Sequence, residues 1–318
     1  DWIDEKEVKL FRELGVTKVQ VGVQAFDEAI LKRVKRGHSL DAVGEATRLL
    51  KDAGIKVCYH YMPNLPGSSP EKDVEMARLM YEDPRFMPDF LKVYPSQVIP
   101  KTELYEEWKR GEYQPYSDDL LKDVLKNICK ITPPYVRIDR LVRDISRKWV
   151  AAGTHTTNMR QYVEAELIKE GTPCQCIRCR EVKAGEYDVQ PELVDRELNT
   201  YGGGEHLLTF EKDQKLYSLL RLRLPEVSSP LFPELSGCAI IREIHTYGKT
   251  LSHKDKVTQK TQHQGLGKRL MQEAENIAKV AGYKKVAVIS SIGTRQYYRG
   301  LGYERDGFYM VKDLVQLF

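Results

Sequence analysis

Two hydrophobic periods alternate along the first half of the chain. Short apolar runs with strand-like composition are separated by longer stretches in which apolar residues recur every three or four positions, as in amphipathic helices. The predicted strands cover residues 17–23, 55–60, 90–94 and 135–138, and the predicted helices cover 4–14, 28–34, 39–53, 70–81, 103–110 and 118–129. This alternation predicts βα units on a parallel sheet, with a common rim of loops after the strands facing a ligand.

The last third of the chain shows a different pattern. Two strands are predicted at 207–211 and 216–224 around a hairpin loop, then a strand at 238–247, a helix at 266–281, a strand at 285–290 and a tyrosine-rich turn at 294–303. The helix starts within Gln262-His-Gln-Gly-Leu-Gly-Lys268, where two glycines bare the backbone. Amide groups and the positive end of the helix dipole then face outward together, which predicts an anion site suited to a pyrophosphate.

This order of strand, Gln-x-x-Gly-x-Gly loop, helix, strand and tyrosine-bearing turn resembles the acetyl-CoA core of the GNAT acetyltransferases. The resemblance implies that the loop holds the CoA pyrophosphate through Gln262, His263, Gln264, Gly265, Leu266, Gly267 and Lys268. It also implies that the strand around Ile244 and His245 lies against the pantetheine, and that Tyr298 or its neighbour Tyr297 protonates the departing thiolate. The alternative for both tyrosines is a role as core aromatics. By residue type alone, Glu243 and His245 are possible general bases.

Three motifs in the first half resemble the middle and later βα units of radical S-adenosylmethionine (SAM) enzymes. They are Gly22-Val-Gln24, Arg36-Gly-His38 and His60-Tyr-Met-Pro-Asn-Leu-Pro-Gly67. The resemblance implies that Gln24 contacts SAM, while His60 either lines the cavity or is a satisfied histidine within its strand. Members of this family hold a [4Fe–4S] cluster on a cysteine triplet, and none precedes Val21. Since the chain begins with Asp1, we expect the cluster-binding strand in a preceding segment that this sequence lacks.

A partial radical SAM (β/α) barrel followed by a GNAT-type α+β acetyltransferase domain resembles the family of catalytic subunits of the Elongator complex. That family modifies the wobble uridine of tRNA, and the resemblance implies an acyltransferase that uses acetyl-CoA and SAM to place a carboxymethyl group on C5. The expected partner is the anticodon stem-loop of tRNA, and a second copy or other Elongator-type subunits are further possible partners. A protein lysine acetyltransferase and a non-catalytic RNA-binding scaffold are the alternatives. The predicted divisions are 1–134 for the barrel, 135–190 for a basic linker and 191–318 for the acetyltransferase domain.

The distribution of charge adds a polyanionic partner to this picture. The net charge is only +4, but basic residues cluster in two segments. We predict tRNA contacts from Arg137, Arg140, Arg143, Lys254, Lys256 and Lys260, and a solvated charged surface is the alternative. No apolar run approaches the length of a membrane span and no signal peptide is visible, so we expect a cytoplasmic protein.

The cysteines divide into one cluster and three isolated residues. Cys174-Gln-Cys-Ile-Arg-Cys179 allows three thiolates to converge on one ion, which predicts a structural zinc site. We choose His155 as the fourth ligand because it lies in the same segment. A [4Fe–4S] cluster is the alternative, although no fourth cysteine is close in sequence. The other cysteines (Cys58, Cys129 and Cys238) stand in apolar runs and are predicted to be small buried residues.

Overall fold

The computed structural model describes residues 2–143, 145–154, 156, 158–183, 190–226, 230–247 and 265–314. These residues form two compact units. The first contains Gln20–Glu45 and Val57–Cys179 together with Trp2, and the second contains Ile3–Val19, Ala46–Lys56 and Arg180–Phe318. The second unit therefore includes two short segments that the sequence-based division gave to the barrel.

The elements of the first 180 residues alternate between helix and strand, as predicted. They are α1 (Glu5–Glu13), β1 (Lys18–Gln24), α2 (Glu28–Arg33), α3 (Leu40–Asp52), β2 (Lys56–Tyr61), α4 (Pro70–Glu82), β3 (Phe90–Val93), α5 (Glu103–Lys109), α6 (Asp118–Ile131), β4 (Arg137–Leu141), α7 (Met159–Lys169) and α8 (Ile177–Arg180). Several helices start at side chains that accept backbone N–H bonds, among them Asp4, Ser39, Ser69 and Ser117. Such caps satisfy amide groups that have no partner within the helix.

The remaining elements form an antiparallel-rich sheet with helices. They are β5 (Glu192–Thr200), β6 (Gly203–Lys212), β7 (Lys215–Pro225), β8 (Cys238–Thr246), α9 (Leu266–Val280), β9 (Lys285–Val288), α10 (Arg295–Arg299), β10 (Glu304–Asp306) and β11 (Tyr309–Asp313). We did not predict β5, β10 or β11, and β5 has only a weak apolar pattern because most of its residues are exposed. The predicted tyrosine-rich turn contains the short helix α10.

The first unit is built on a four-stranded sheet in the order β1-β2-β3-β4, in which β2, β3 and β4 pair in parallel. The pairing of β3 with β4 shifts by one residue, so that Leu91 lies opposite Ile138 but Lys92 lies opposite Arg140. Asp139 is the extra residue at this bulge. Because opposite residues share a face of the sheet, the bulge keeps Arg137 and Arg140 on one face, although a spacing of three would separate them in a regular strand.

The second unit is built on a seven-stranded sheet in the order β10-β11-β9-β8-β7-β6-β5. Among the described strands of this sheet, β8 and β9 pair in parallel and the other pairs are antiparallel. Helix α9 places Leu270, Met271 and Ala274 in a core with residues of β6, β7 and β8. The chain therefore has a parallel four-stranded sheet followed by a mostly antiparallel seven-stranded sheet. This order confirms the predicted fold class, a partial (β/α) barrel followed by an α+β domain. None of the helices in the described ranges is long and apolar enough to cross a membrane.

A buried ionic cluster lies within the second unit. Glu205 of β6 accepts hydrogen bonds from Lys51 at 2.9 Å and from Arg242 of β8 at 2.8 Å. Burial by itself disfavours the carboxylate, but the Arg242 and Lys51 cations outweigh it and hold the pKa of Glu205 below its usual range. Nearby, Arg223 binds Asp52 at 2.8 Å. These ion pairs join the end of α3 to the sheet.

Candidate cofactor and metal sites

The start of α9 has the backbone geometry of an anion site. Gly265 precedes the helix in the left-handed region at φ 71°, where glycine is favoured. A β-carbon on Gly267 would lie 3.5 Å from the Tyr297 hydroxyl, 3.6 Å from Thr246 Oγ1 and 3.9 Å from Ile244 Cδ1. The fold therefore brings the second glycine, one tyrosine and the β8 strand together. The first amide groups of a helix have no partner within the helix, so they can bind a phosphate.

Strand β8 runs past the end of its pairing with β9 next to this helix start. It pairs with β9 only from Cys238 to Ile241, where Ile241 lies opposite Val288. Beyond Ile241, no strand of the described ranges pairs with this edge of β8. The register on the other side, with β7, shifts at Arg242, and such a bulge bends a strand away from its neighbour. Backbone groups of residues 243–246 can therefore bind an extended ligand as an added strand would.

The two predicted tyrosines occupy different environments. Tyr298 is 4% exposed and packs in the core of the second unit, with its ring 6.1 Å from Tyr303, whereas Tyr297 is 46% exposed. Their rings contact each other at a centroid distance of 5.2 Å. Burial, with a smaller contribution from Tyr297, raises the pKa of Tyr298 to about 12, so its phenol is protonated at neutral pH. Tyr297 instead places its hydroxyl beside Gly267.

The structure describes most of the other residues predicted for this site and leaves out three. Glu243 forms an ion pair with Arg221 at 2.9 Å, and the ring of the exposed His245 lies 4.4 Å from that of Tyr247. Ile244 packs against the core from its edge, and Lys268 is exposed in the first turn of α9. The predicted contacts Gln262, His263 and Gln264 lie outside the described residues.

In the first unit, Gln24 lies at the carboxyl end of β1 in a constrained backbone conformation. Its φ is 69°, a region that non-glycine residues seldom adopt. Its side-chain oxygen is buried and accepts no hydrogen bond from the described residues. Arg36 donates to the carbonyl of Gly22 at 2.8 Å, and a β-carbon on Gly22 would lie 3.1 Å from both Arg36 and Gln24. A buried acceptor without a donor indicates a place for a polar ligand.

His60 belongs to a polar contact on the sheet face of the first unit. Its Nε2 lies 2.7 Å from the side-chain oxygen of Gln20, to which Lys92 also donates at 2.7 Å. Burial, and then the charges of Lys92 and Arg143, lower the pKa of His60. The histidine is therefore hydrogen-bonded, and it also stands beside two cations.

The cysteine cluster has the spacing of a single-metal site. The sulfurs of Cys174, Cys176 and Cys179 lie within 4.8 Å of one another. Thiolates around one tetrahedral zinc stand about 3.8 Å apart, as follows from a zinc–sulfur distance of about 2.3 Å. Each thiolate of a four-iron cluster binds a different iron and stands farther from its neighbours. The donor set therefore fits zinc better than the cluster that we considered as the alternative.

A fourth thiol, which we predicted only as a buried residue, lies next to this cluster. Cys129, near the end of α6, is 4% exposed and lies within hydrogen-bonding range of Cys174, a contact that raises the pKa of the Cys174 thiol. Hydrogen bonds from Cys174 and Cys179 lower the pKa of the Cys176 thiol. Cys129 is 45 positions before Cys174, so no local spacing could have linked them. The predicted ligand His155 lies outside the described residues.

The three predicted arginines all lie in or just after β4. Arg137 forms an ion pair with Asp139 at 3.3 Å, whereas Arg140 and Arg143 are exposed and have no acidic partner in the described part of the chain. The predicted RNA contacts Lys254, Lys256 and Lys260 lie outside the described residues. Of the three predicted contacts that the structure describes, Arg140 and Arg143 are thus exposed cations without an ion pair to another described residue.

Comparisons with known proteins cover nearly the whole chain. Residues 1–80 match the Radical SAM superfamily, 88–169 match the Radical_SAM C-terminal domain, and 253–317 match the Acetyltransferase (GNAT) domain. The chain is 42% identical over 99% of its length to the tRNA uridine(34) acetyltransferase of Dehalococcoides mccartyi, 70% of which it covers. It is 43% identical over 94% of its length to Elongator complex protein 3 of Danio rerio, and it covers 56% of that protein.

A solved structure agrees with these similarities. The archaeal Methanocaldococcus infernus Elp3 with an N-terminal deletion is 43% identical and superimposes on 99% of this chain with a TM-score of 0.89, covering 76% of that structure. The chain spans 61% of the tRNA uridine(34) acetyltransferase of the same organism.

Proposed function

Because the chain belongs to the family of tRNA uridine(34) acetyltransferases and Elongator complex protein 3, we propose that its protein modifies the wobble uridine of tRNA. Acetyl-CoA provides the acyl group, which becomes a carboxymethyl group on C5, and tRNA is the acceptor. The observation that carries the proposal is the part of β8 beyond Ile241, where no described strand follows on the β9 side. It lies beside a glycine-started helix, in a chain that also matches the Radical SAM superfamily.

The acetyl-CoA site is assigned to the second unit. The pyrophosphate binds the amide groups at Gly265 and Gly267, and the pantetheine lies along Glu243, Ile244 and His245. These contacts use backbone groups, so they require an open strand edge more than a particular side chain. Gln262, His263 and Gln264 stay sequence-based predictions for the same cofactor. Lys268, exposed in the first turn of α9, adds a positive charge next to the phosphates.

The tyrosines have separate roles in this proposal. We assign Tyr298 as the proton donor to the departing thiolate from the resemblance to the GNAT acetyltransferases, and its phenol carries the proton at neutral pH. Tyr297 positions the cofactor through its hydroxyl beside Gly267. A Tyr298→Phe change is then expected to lower kcat with little change in KM for acetyl-CoA, whereas Tyr297→Phe raises KM. The reverse result would exchange the two roles.

The first unit is assigned to SAM. The buried oxygen of Gln24 has no donor in the described ranges, and it suits an N–H group of that cofactor. When bound, SAM with its [4Fe–4S] cluster supplies radical chemistry. This chain contributes Gln24 and the adjoining Arg36 as polar groups at the carboxyl end of the sheet, where ligands bind in such folds.

The tRNA surface is assigned to exposed cations. Arg140 and Arg143 have no acidic partner among the described residues, so phosphates can bind them without competition. We include Arg137, Lys254, Lys256 and Lys260 as predicted contacts. A second copy or another subunit is a further expected partner.

The metal assigned to the cysteine cluster is a structural zinc ion. Cys174, Cys176 and Cys179 provide three ligands, because their sulfurs lie close enough to share one ion. For the fourth ligand, Cys129 is the described thiol next to the cluster, and His155 is the sequence-based prediction. Zinc here would hold α6 and the cysteine loop together and would take no part in the reaction.

The proposed function can be tested by measuring acetyl-CoA turnover with two acceptors. We expect tRNA with an unmodified wobble uridine to stimulate turnover, and a histone peptide to leave it at its basal rate. Stimulation by the peptide alone would establish a protein acetyltransferase instead. Absence of acetyl-CoA binding, with tRNA still bound, would establish an RNA-binding scaffold. A tRNA with another base at the wobble position is the matched control substrate.

A further inference from the structure

One face of the four-stranded sheet carries a row of polar and cationic side chains, one from each strand. They are Gln20 of β1, His60 of β2, Lys92 of β3 and Arg140 of β4, and we refer to them as the polar row. His60 lies directly opposite Lys92, and Lys92 lies directly opposite Arg140. The bulge at Asp139 completes the row, because without it Arg140 would point to the other face.

The row has an excess of positive charge. Lys92 and Arg140 are neighbours on paired strands, and like charges in that arrangement destabilise a sheet. Lys92 contacts Gln20, which is neutral, and neither cation has an acidic partner in the described part of the chain. Arg143 is close enough to affect the pKa of His60, so a third cation stands nearby. Repulsion that no acidic group of the described residues compensates indicates an anionic ligand.

Lys92 is held in place before any ligand binds. The Gln20 oxygen accepts from both Lys92 and His60 at 2.7 Å, which fixes the ammonium group over the sheet and leaves its other N–H donors for a ligand. A lysine positioned in this way loses less side-chain entropy on binding than a free surface lysine does.

An aromatic ring beside the cations indicates the class of anion. Tyr94 follows Lys92 by two positions, and its ring meets that of His60 edge to face at 5.2 Å. Cations with adjoining aromatic rings are typical of sites for single-stranded nucleic acid, in which phosphates and bases are bound together. Lone pyrophosphates use helix starts, which this row does not contain.

We propose that the polar row binds a backbone phosphate next to the wobble uridine, with Lys92 and Arg140 as donors and Gln20 as the residue that positions Lys92. The inference rests on the proposed function, because it takes tRNA as the ligand. It assigns the sheet face that carries the polar row to the target nucleotide, in addition to the exposed cations already named as tRNA contacts. An unpaired nucleotide suits this face because its phosphate and base are both accessible.

The test combines protein variants with neutral phosphates in the RNA. Binding of an anticodon stem-loop is measured by fluorescence anisotropy for the wild type, Lys92→Gln, Lys92→Arg and the control Lys9→Gln, which changes an exposed lysine of α1. We expect Lys92→Gln to bind the stem-loop with about tenfold lower affinity. The slope of log affinity against log salt concentration should be shallower by about 0.7 per lost phosphate contact. Lys92→Arg should recover the affinity of the wild type. Lys9→Gln should bind like the wild type.

Stem-loops with one methylphosphonate at each linkage around the wobble uridine then locate the contact. At one linkage the neutral phosphate and Lys92→Gln should each lower the binding affinity, but the two together should lower it no further than either alone. The effects do not add there because both changes remove the same interaction. Additive losses at every linkage, or unchanged RNA binding by both Lys92→Gln and Arg140→Gln, would overturn the inference. Weaker acetyl-CoA binding with unchanged RNA binding would assign the row to the cofactor. If the wild type fails to bind the stem-loop, the proposed function fails with it.

Thermal unfolding of each variant controls for loss of structure. Should Lys92→Gln unfold, Arg140→Gln provides the same test, because Arg140 is exposed and its removal leaves no buried partner. Gln20→Leu is expected to weaken RNA binding less than Lys92→Gln, since it frees Lys92 without removing the charge.

Discussion

Neutralising Glu205 should destabilise the second unit strongly. Its carboxylate is 4% exposed and accepts short hydrogen bonds from Lys51 and Arg242, whose side chains are 2% and 0% exposed. In Glu205→Gln both cations remain buried, facing a neutral amide. Removal of one member of a buried ion pair costs about 3–5 kcal/mol, because the remaining charge has lost its compensation.

This cost is a large part of a typical free energy of unfolding, which is about 5–15 kcal/mol. A loss of about 1 kcal/mol lowers the Tm by about 2–4 °C in a unit of this size, so we expect a decrease of roughly 6–20 °C. The assay is thermal unfolding followed by circular dichroism. The matched control is Glu192→Gln on exposed β5, for which we expect a change within about 2 °C.

A second substitution tests the cause. In the Glu205→Gln background, Lys51→Met removes one of the two cations that Glu205 had balanced and should recover part of the lost stability. The reasoning would be refuted if Glu205→Gln melted within about 2 °C of the control, or if Lys51→Met made the double variant still less stable. Since Arg242 is the bulged residue just before the open edge of β8, we also expect weaker acetyl-CoA binding in Glu205→Gln.

Three further predictions concern the cofactor site, the metal and pH. Gly267→Ala should fold normally, because its new methyl group would meet its neighbours at 3.5 Å or more. It should nevertheless weaken acetyl-CoA binding, measured by calorimetry, at least tenfold. Unchanged binding would exclude this glycine from the cofactor site. Metal analysis should find about one zinc ion per chain, which is lost in Cys176→Ser and kept in the control Cys238→Ser. A comparison of the zinc content of Cys129→Ser with that of His155→Gln identifies the fourth ligand. Iron in place of zinc would contradict the assignment. Burial raises the pKa of Asp73 from 3.8 to about 6, so its contribution to stability is complete below pH 3.8 and is lost as the pH rises through 6. Asp73→Asn should lack this loss of stability. For wild type the loss amounts to about 2 kcal/mol in denaturant unfolding between pH 4 and 7, and equal pH profiles for the two proteins would contradict the pKa.

Local patterns in the sequence determined much of the fold and of the cofactor chemistry. The glycines at 265 and 267, the cysteine triplet and the alternation of strands and helices each depend on residues a few positions apart. A helix start, a metal-binding loop and a strand are formed by neighbouring residues, so their sequence signals are direct. Strand β5 gave no such signal, because it is an exposed strand that is stabilised mainly by its pairing with β6.

Contacts between distant residues were decided only by the tertiary structure. Cys129 reaches the cysteine loop because helix α6 places it there, and Glu205 meets Lys51 across 154 positions. The polar row depends on the register of paired strands, and one extra residue at Asp139 determines whether Arg140 shares a face with Lys92. No local spacing encodes a register or a helix packing, because both are set by the combined burial of many side chains.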